Sequence, residues 1–221
     1  MNPIFPSILT TTHFDLGPRM DRFQSAGITH LHLDVMDGHF VPNMAFGPAT
    51  VPAVKNAYGM AVDAHLMVDQ PRTVVPWFLD AGADWISFHL EVEPEPGSLL
   101  DLIRARGCRA GLVINPDTPV EGLFPWLGKL DYVLLMSVFP GYGGQAFMPR
   151  TLDRVAELVR ERQRRALDFL IQVDGGIRQE EASRLFGLGA DCLVVGTYLY
   201  NAPDIEQRVR ELRDAKKQGR G

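Results

Sequence analysis

From His30 to Asn43 the chain reads His-Leu-His-Leu-Asp-Val-Met-Asp-Gly-His-Phe-Val-Pro-Asn, where strand-forming apolar residues alternate with side chains able to bind metal ions and move protons. Successive side chains of a strand point to opposite faces, so His32 and Asp34 emerge on one face, shared with His30 and Met36. Leu31, Leu33 and Val35 occupy the other face, and such a run is expected to be buried on both sides. A buried imidazole and a buried carboxylate need polar partners or a metal ion. The two-residue spacing fits either a satisfied polar pair in the core or a pair of ligands.

The elements that must position these groups repeat along the chain. Apolar, β-branched-rich runs occur at Ile4–Leu9, His30–Val35, Ala61–Leu66, Trp85–Leu90, Ala110–Ile114, Tyr132–Ser137, Phe169–Val173 and Cys192–Val195. Between most of them lie segments of helical period, such as Leu152, Val155, Leu158 and Val159, and several return to the next run through a glycine turn. Eight βα units predict a (β/α)8 TIM barrel. A doubly wound open sheet is the rival, and the lack of a Gly-x-Gly-x-x-Gly after the first strand counts against it. Ser7, His32, Asp34, His65, His89, Asn115, Ser137, Asp174 and Gly196 all fall in or just beyond the C-terminal halves of these runs, the face where such barrels carry their chemistry.

Length and composition agree with one domain over residues 1–212, followed by a polar tail, 213–221, expected to fray. A net charge of -5 argues against nucleic acid as a partner. Cys108 and Cys192 are too few for a disulfide framework and lack metal-motif spacing, which favours a cytoplasmic location. No apolar run approaches the roughly 18 residues of a membrane span, and Met1–Pro6 has no basic leader.

These residues carry a resemblance over nearly the whole chain. Pro6-Ser7-Ile8-Leu9, the run from His32 to Asn43, His65-Leu66-Met67-Val68, Ser87-Phe88-His89, Asn115-Pro116, Met136-Ser137-Val138, Pro140-Gly141-Tyr142-Gly143-Gly144-Gln145 and Val173-Asp174-Gly175-Gly176-Ile177 together resemble the ribulose-phosphate 3-epimerase family. The resemblance implies a ribulose-phosphate-binding barrel, usually a homo-oligomer. It also implies a metal-dependent inversion at C3 of D-ribulose 5-phosphate to give D-xylulose 5-phosphate.

The residue types suit that chemistry. A proton beside a ketone becomes removable when the resulting enediolate is stabilised, and a divalent cation holding its oxygens supplies this. His32, His65, Asp34 and Asp174 make a two-histidine, two-carboxylate set suited to one Zn, Fe, Mn or Co ion per subunit. Inversion needs one group to take a proton from one face and another to deliver one to the opposite face, and Asp34 and Asp174 are the candidates. Met36, Met67 and Met136 match family positions where thioethers cover the enediolate, being apolar and unable to protonate it. Gly143-Gly144, Gly175-Gly176 and Gly196-Thr197 leave backbone N–H groups approachable near the last two strands, as a phosphate cradle requires. With Ser7, His65, Gly141 and Tyr142 they complete the expected substrate site, Pro140–Gln145 resembling a closing loop.

Other residues receive supporting or structural readings. Asp37 begins a glycine-containing loop and reads as a turn residue, His39 has no ligand role, His30 lies one layer deeper, and His89 supports a ligand or a loop. Phe139 stands where the family commonly has Asn or Glu, Tyr142 replaces Phe, and Thr197-Tyr198 replaces the commoner Ser-Ala. These departures keep D-allulose 6-phosphate as an alternative substrate. A non-catalytic sugar-phosphate-binding protein is the alternative class, although it would have no chemical need for four metal-ligand types and two opposed carboxylates. A decarboxylase on a similar barrel would need Asp-x-Lys-x-x-Asp, and here Met36 and His39 hold the Lys and second Asp positions.

Overall fold

The computed structural model describes residues 3–9 and 16–218. Its strands in chain order are β1 (Ile4–Pro6), β2 (His30–Asp37), the two-residue β3 (Met44–Ala45), β4 (Ala61–Met67), β5 (Trp85–His89), β6 (Arg109–Ile114), β7 (Tyr132–Met136), β8 (Leu170–Asp174) and β9 (Cys192–Val195). All pair in parallel except β3, which folds back against the end of β2. The sheet order runs β1-β9-β8-β7-β6-β5-β4-β2-β3, and a parallel bridge between Ser7 and His32 brings β1 onto β2 and closes the barrel. The eight expected strands are therefore present, and the fold is the expected (β/α)8 barrel.

The period of two decides what each strand buries. Outward residues such as Leu33, Leu66, Phe88, Leu135 and Val173 join one cluster with the helices, each fully buried Leu or Phe contributing roughly 1.5–3 kcal/mol. Inward residues Phe5, Trp85, Val113, Tyr132, Leu134 and Cys192 fill the barrel itself. His30 belongs to this lower layer, stacked on Phe5 at 4.7 Å between ring centroids, away from the other histidines.

The helices are α1 (Leu16–Ser25), α2 (Thr50–Tyr58), α3 (Pro71–Asp80), α4 (Gly97–Ala105), α5 (Thr151–Arg164), α6 (Gln179–Leu188), α7 (Thr197–Tyr200) and α8 (Ile205–Gln218). No helix among the described residues is long and apolar enough to cross a membrane. The connection from β6 to β7 has only short 3-10 turns, Val120–Leu123 and Leu127–Lys129, because Pro116, Pro119 and Pro125 interrupt any longer helix. At the C-terminus the expected fraying point at 213 is passed: α8 continues to Gln218, with Ala215 buried and Arg213 donating to the Gly27 carbonyl at 2.7 Å. Residues 219–221 of the expected tail lie outside the described residues.

Candidate active site

Pairing of β2 with β4 sets Asp34 beside His65 and His32 beside Asp63. With Asp174 at the end of β8, the side chains of His32, Asp34, His65 and Asp174 each place one donor atom within 4.8 Å of all the others. His32 Nε2 stands 3.7 Å from an Asp34 oxygen and 3.8 Å from an Asp174 oxygen, and His65 Nδ1 stands 3.6 Å from Asp34. Donors at the corners of a tetrahedral site with bonds of roughly 2.0–2.2 Å stand about 3.3–3.6 Å apart, so a divalent cation fits with small adjustments.

The state of the imidazoles supports that fit. His32 Nε2 and His65 Nδ1 are buried and have no hydrogen-bond partner. Each is turned inward by the bond its other nitrogen makes. His32 Nδ1 lies 2.8 Å from Asp63, whose carboxylate also accepts from Tyr132 Oη at 2.9 Å and Gln172 Nε2 at 2.8 Å. Asp63 is fully buried and acceptor-only, so Nδ1 carries the proton and Nε2 faces the cluster.

His65 Nε2 lies 2.9 Å from His89 Nε2, and His89 Nδ1 lies 3.2 Å from Glu91. Glu91 is further anchored by the Asn115 N–H at 2.7 Å and the Thr118 hydroxyl. Burial acts to raise the Glu91 pKa, but these donors prevail and hold it at about 2, so it is an anion and His89 donates to it. His89 Nε2 then accepts from His65 Nε2–H, leaving the His65 Nδ1 lone pair directed at the cluster.

The two carboxylates are driven apart electrostatically. Burial works against the charge on Asp34, yet the His32 and His65 imidazoles hold it well below the usual carboxylate range. The Ser7 hydroxyl also donates to its Oδ2 at 2.5 Å. Asp174 is pushed up to about 7 by burial and by the neighbouring Asp34 charge. His65 is lowered to about 4, chiefly by burial, whereas at His32 the burial penalty is exceeded by Asp63 and Asp34, which raise it. The two carboxylates thus titrate apart, Asp34 being the more acidic and Asp174 the less acidic member of the pair.

Above the cluster opens a cavity of about 720 Å³. Asp34, Asp174, Met36, Met67 and Met136 form its floor side, with all three thioether side chains buried. Gly141, Tyr142, Gly143 and Gly144 line it from the loop after β7, Gly175 and Gly176 from the loop after β8, and Gly196 and Thr197 from the loop after β9, facing Ser7. These loops touch: a Cβ on Gly176, where φ is +62°, would fall 2.4 Å from the Phe147 nitrogen, and one on Gly144 would reach the Thr197 hydroxyl at 3.9 Å. The β7 loop is tied down by Tyr142 Oη donating to the Pro42 carbonyl at 2.9 Å and by Asn43 Nδ2 donating to the Gly141 carbonyl at 2.8 Å.

Asp37 lies outside the cluster and accepts the backbone N–H groups of His39, Phe40 and Asp69, fastening the loop after β2. Ser137 donates to the carbonyls of Asp174 and Gly175, which sets the height of Asp174. Sequence reasoning passed over Asp63 and Glu91. Asp63 was within reach of the same period of two, since 63, 65 and 67 share the inward face of β4.

The profile of the Ribulose-phosphate 3 epimerase family matches residues 3–200. The chain is 41% identical over 212 residues to the ribulose-phosphate 3-epimerase of Escherichia coli (strain K12), covering 95% of this chain and 94% of that one. It is 39% identical over 217 residues to the ribulose-phosphate 3-epimerase of Bacillus subtilis (strain 168), covering 98% of this chain and all of the other. The fold is similar to that of 3-hexulose-6-phosphate synthase from Salmonella typhimurium, with a TM-score of 0.73 at 16% identity over 98% of this chain and 99% of that one. With the family profile matched over residues 3–200 and relatives about 40% identical over nearly their whole length, the chain belongs to the ribulose-phosphate 3-epimerase family.

Proposed function

We propose that the protein is an epimerase that interconverts D-ribulose 5-phosphate and D-xylulose 5-phosphate. The observation that carries this is the convergence of Asp34 and Asp174 on two buried imidazole nitrogens that have no hydrogen-bond partner, all four donors lying within 4.8 Å of one another. In this reading His32 Nε2, His65 Nδ1 and the two carboxylates hold one divalent cation. When bound, that cation supplies electrostatic stabilisation for the charge that builds on the substrate oxygens as the C3 proton leaves.

The chain supplies the rest. Asp34, ionised and oriented by Ser7, takes the C3 proton from one face of the ketose phosphate. Asp174 gives its proton to C3 from the other face, and in the reverse direction the two exchange roles. Met36, Met67 and Met136 keep water from the carbanionic carbon without offering a proton of their own. Backbone N–H groups of the glycine loops receive the phosphate.

Elemental analysis of the purified protein, paired with an epimerase assay before and after chelation, tests the reading. One equivalent of a transition metal per subunit is expected, with loss of turnover on its removal and recovery on its return. Full turnover in metal-free protein would end the metal assignment, and absence of C3 exchange on any ketose phosphate would end the enzymatic one. Phe139 and Tyr198 on the cavity wall favour a comparison with D-allulose 6-phosphate; a higher kcat/KM on that hexulose would displace the pentulose.

The Glu91–His89–His65 line makes a separate claim. Replacing Glu91 by Gln removes the anion that fixes the His89 tautomer, and lost supporting bonds of this kind weaken metal binding roughly 10–100-fold. Competition with a chelator of known affinity measures this, and an unchanged metal affinity in the folded variant would refute it.

A further inference from the structure

Tyr198 on α7 and Arg208 on α8 reach the wall of the cavity that Asp34, Asp174 and the glycine loops also line. The guanidinium carbon of Arg208 lies 4.0 Å from the centroid of the Tyr198 ring, within range of attraction between a cation and an aromatic face. Its Nε lies 3.1 Å from a Glu211 carboxylate oxygen on the same helix. These contacts occupy the flat face and the inner edge of the group. Among the described residues no protein acceptor takes either terminal amine.

A long, flexible side chain is thus already fixed, with its outer donors unspent. The planar fork of arginine matches phosphate oxygens two at a time, which an ammonium cannot do. The Tyr198 ring gives Arg208 a surface to lie on. Arg178, the other cation on this wall among the described residues, is exposed.

We propose that Arg208, shelved on Tyr198, is a substrate-binding and specificity residue whose terminal amines pair with the phosphate of the ketose phosphate. It adds a fixed positive charge to a cradle otherwise made of backbone N–H groups. The inference rests on the phosphorylated substrate proposed above, and it commits this chain to stronger selection for the charged end of that substrate than the glycine loops give alone.

The test uses the metal-loaded full chain, with inorganic phosphate as a competitive probe and D-ribulose 5-phosphate as substrate. Arg208→Gln is expected to raise both the phosphate inhibition constant and KM roughly tenfold, the scale of one lost charge-assisted pair at a half-exposed site, while kcat falls by less than KM rises. Arg208→Lys restores only part of this, Tyr198→Phe keeps wild-type affinity, and Tyr198→Ala shifts it in the direction of Arg208→Gln. Thermal midpoints confirm that each variant is folded. Phosphate affinity and KM within twofold of wild type in folded Arg208→Gln, with turnover intact, would overturn the assignment. Phosphate binding that depends on Arg208 in a protein without turnover would uphold it and overturn the reaction instead.

Discussion

Asp174→Asn and Asp34→Asn are each expected to lower the rate of C3 epimerisation by about 10³-fold, within the range that a positioned acid or base contributes. The two losses differ in kind. With Asp34 intact and Asp174 replaced, one epimer still surrenders its C3 proton, and in deuterated water that carbon takes up label without inverting. With Asp34 replaced, the label enters the other epimer. Proton NMR of both sugar phosphates in deuterated water reads the pattern directly. Metal content is measured alongside, because both carboxylates belong to the donor cluster and an amide oxygen is a weaker ligand. Full activity in both variants would refute the two-base assignment, and exchange lost for both epimers in a metal-replete variant would refute the division of faces.

Asp63→Ala is the second large effect. Asp63 sits fully buried inside the barrel and accepts from His32, Tyr132 and Gln172, so its removal strands three donors where water does not reach. Breaking a buried pair from one side costs about 3–5 kcal/mol. For a chain of this size that corresponds to a fall in thermal midpoint of roughly 6–20 °C. The same change frees His32 to rotate and lowers metal affinity roughly 10–100-fold. Asp63→Asn separates the two consequences, since an amide oxygen still accepts from two donors while the charge is gone. Calorimetry and chelator competition on both variants check this, and wild-type stability in Asp63→Ala would show that the buried carboxylate contributes nothing net.

What the sequence disclosed follows from which distances are local. His32 and Asp34 share a face because the strand period is two, and that relation needs no partner strand. The approach of His65 to Asp34 depends on the register of β2 against β4, which barrel closure sets; the resemblance supplied it where periodicity did not. Asp63 was legible as sharing the inward face of His65, but its bond to His32 appears only once the register of β2 against β4 sets the two side by side. Glu91 acts from a turn after β5, and its importance appears only once His89 is found to need an anion. Arg208 and Tyr198 meet across the link between α7 and α8, a contact no periodicity foretells. The missing helix between β6 and β7 was legible in its prolines, but the eight-unit pattern absorbed it.

The bridge between Ser7 and His32 has a wider meaning for how this protein can change. Among the described residues it is where β1 is zipped to β2, and both of its members also face the donor cluster, Ser7 donating to Asp34 and His32 turning an unpartnered Nε2 inward. The cylinder's seam and its chemistry therefore occupy the same two positions. Variation that tunes reactivity there also loosens or tightens the closure of the whole wall, so evolutionary or engineered adjustment of rate has more freedom in the surrounding loops than at the join itself.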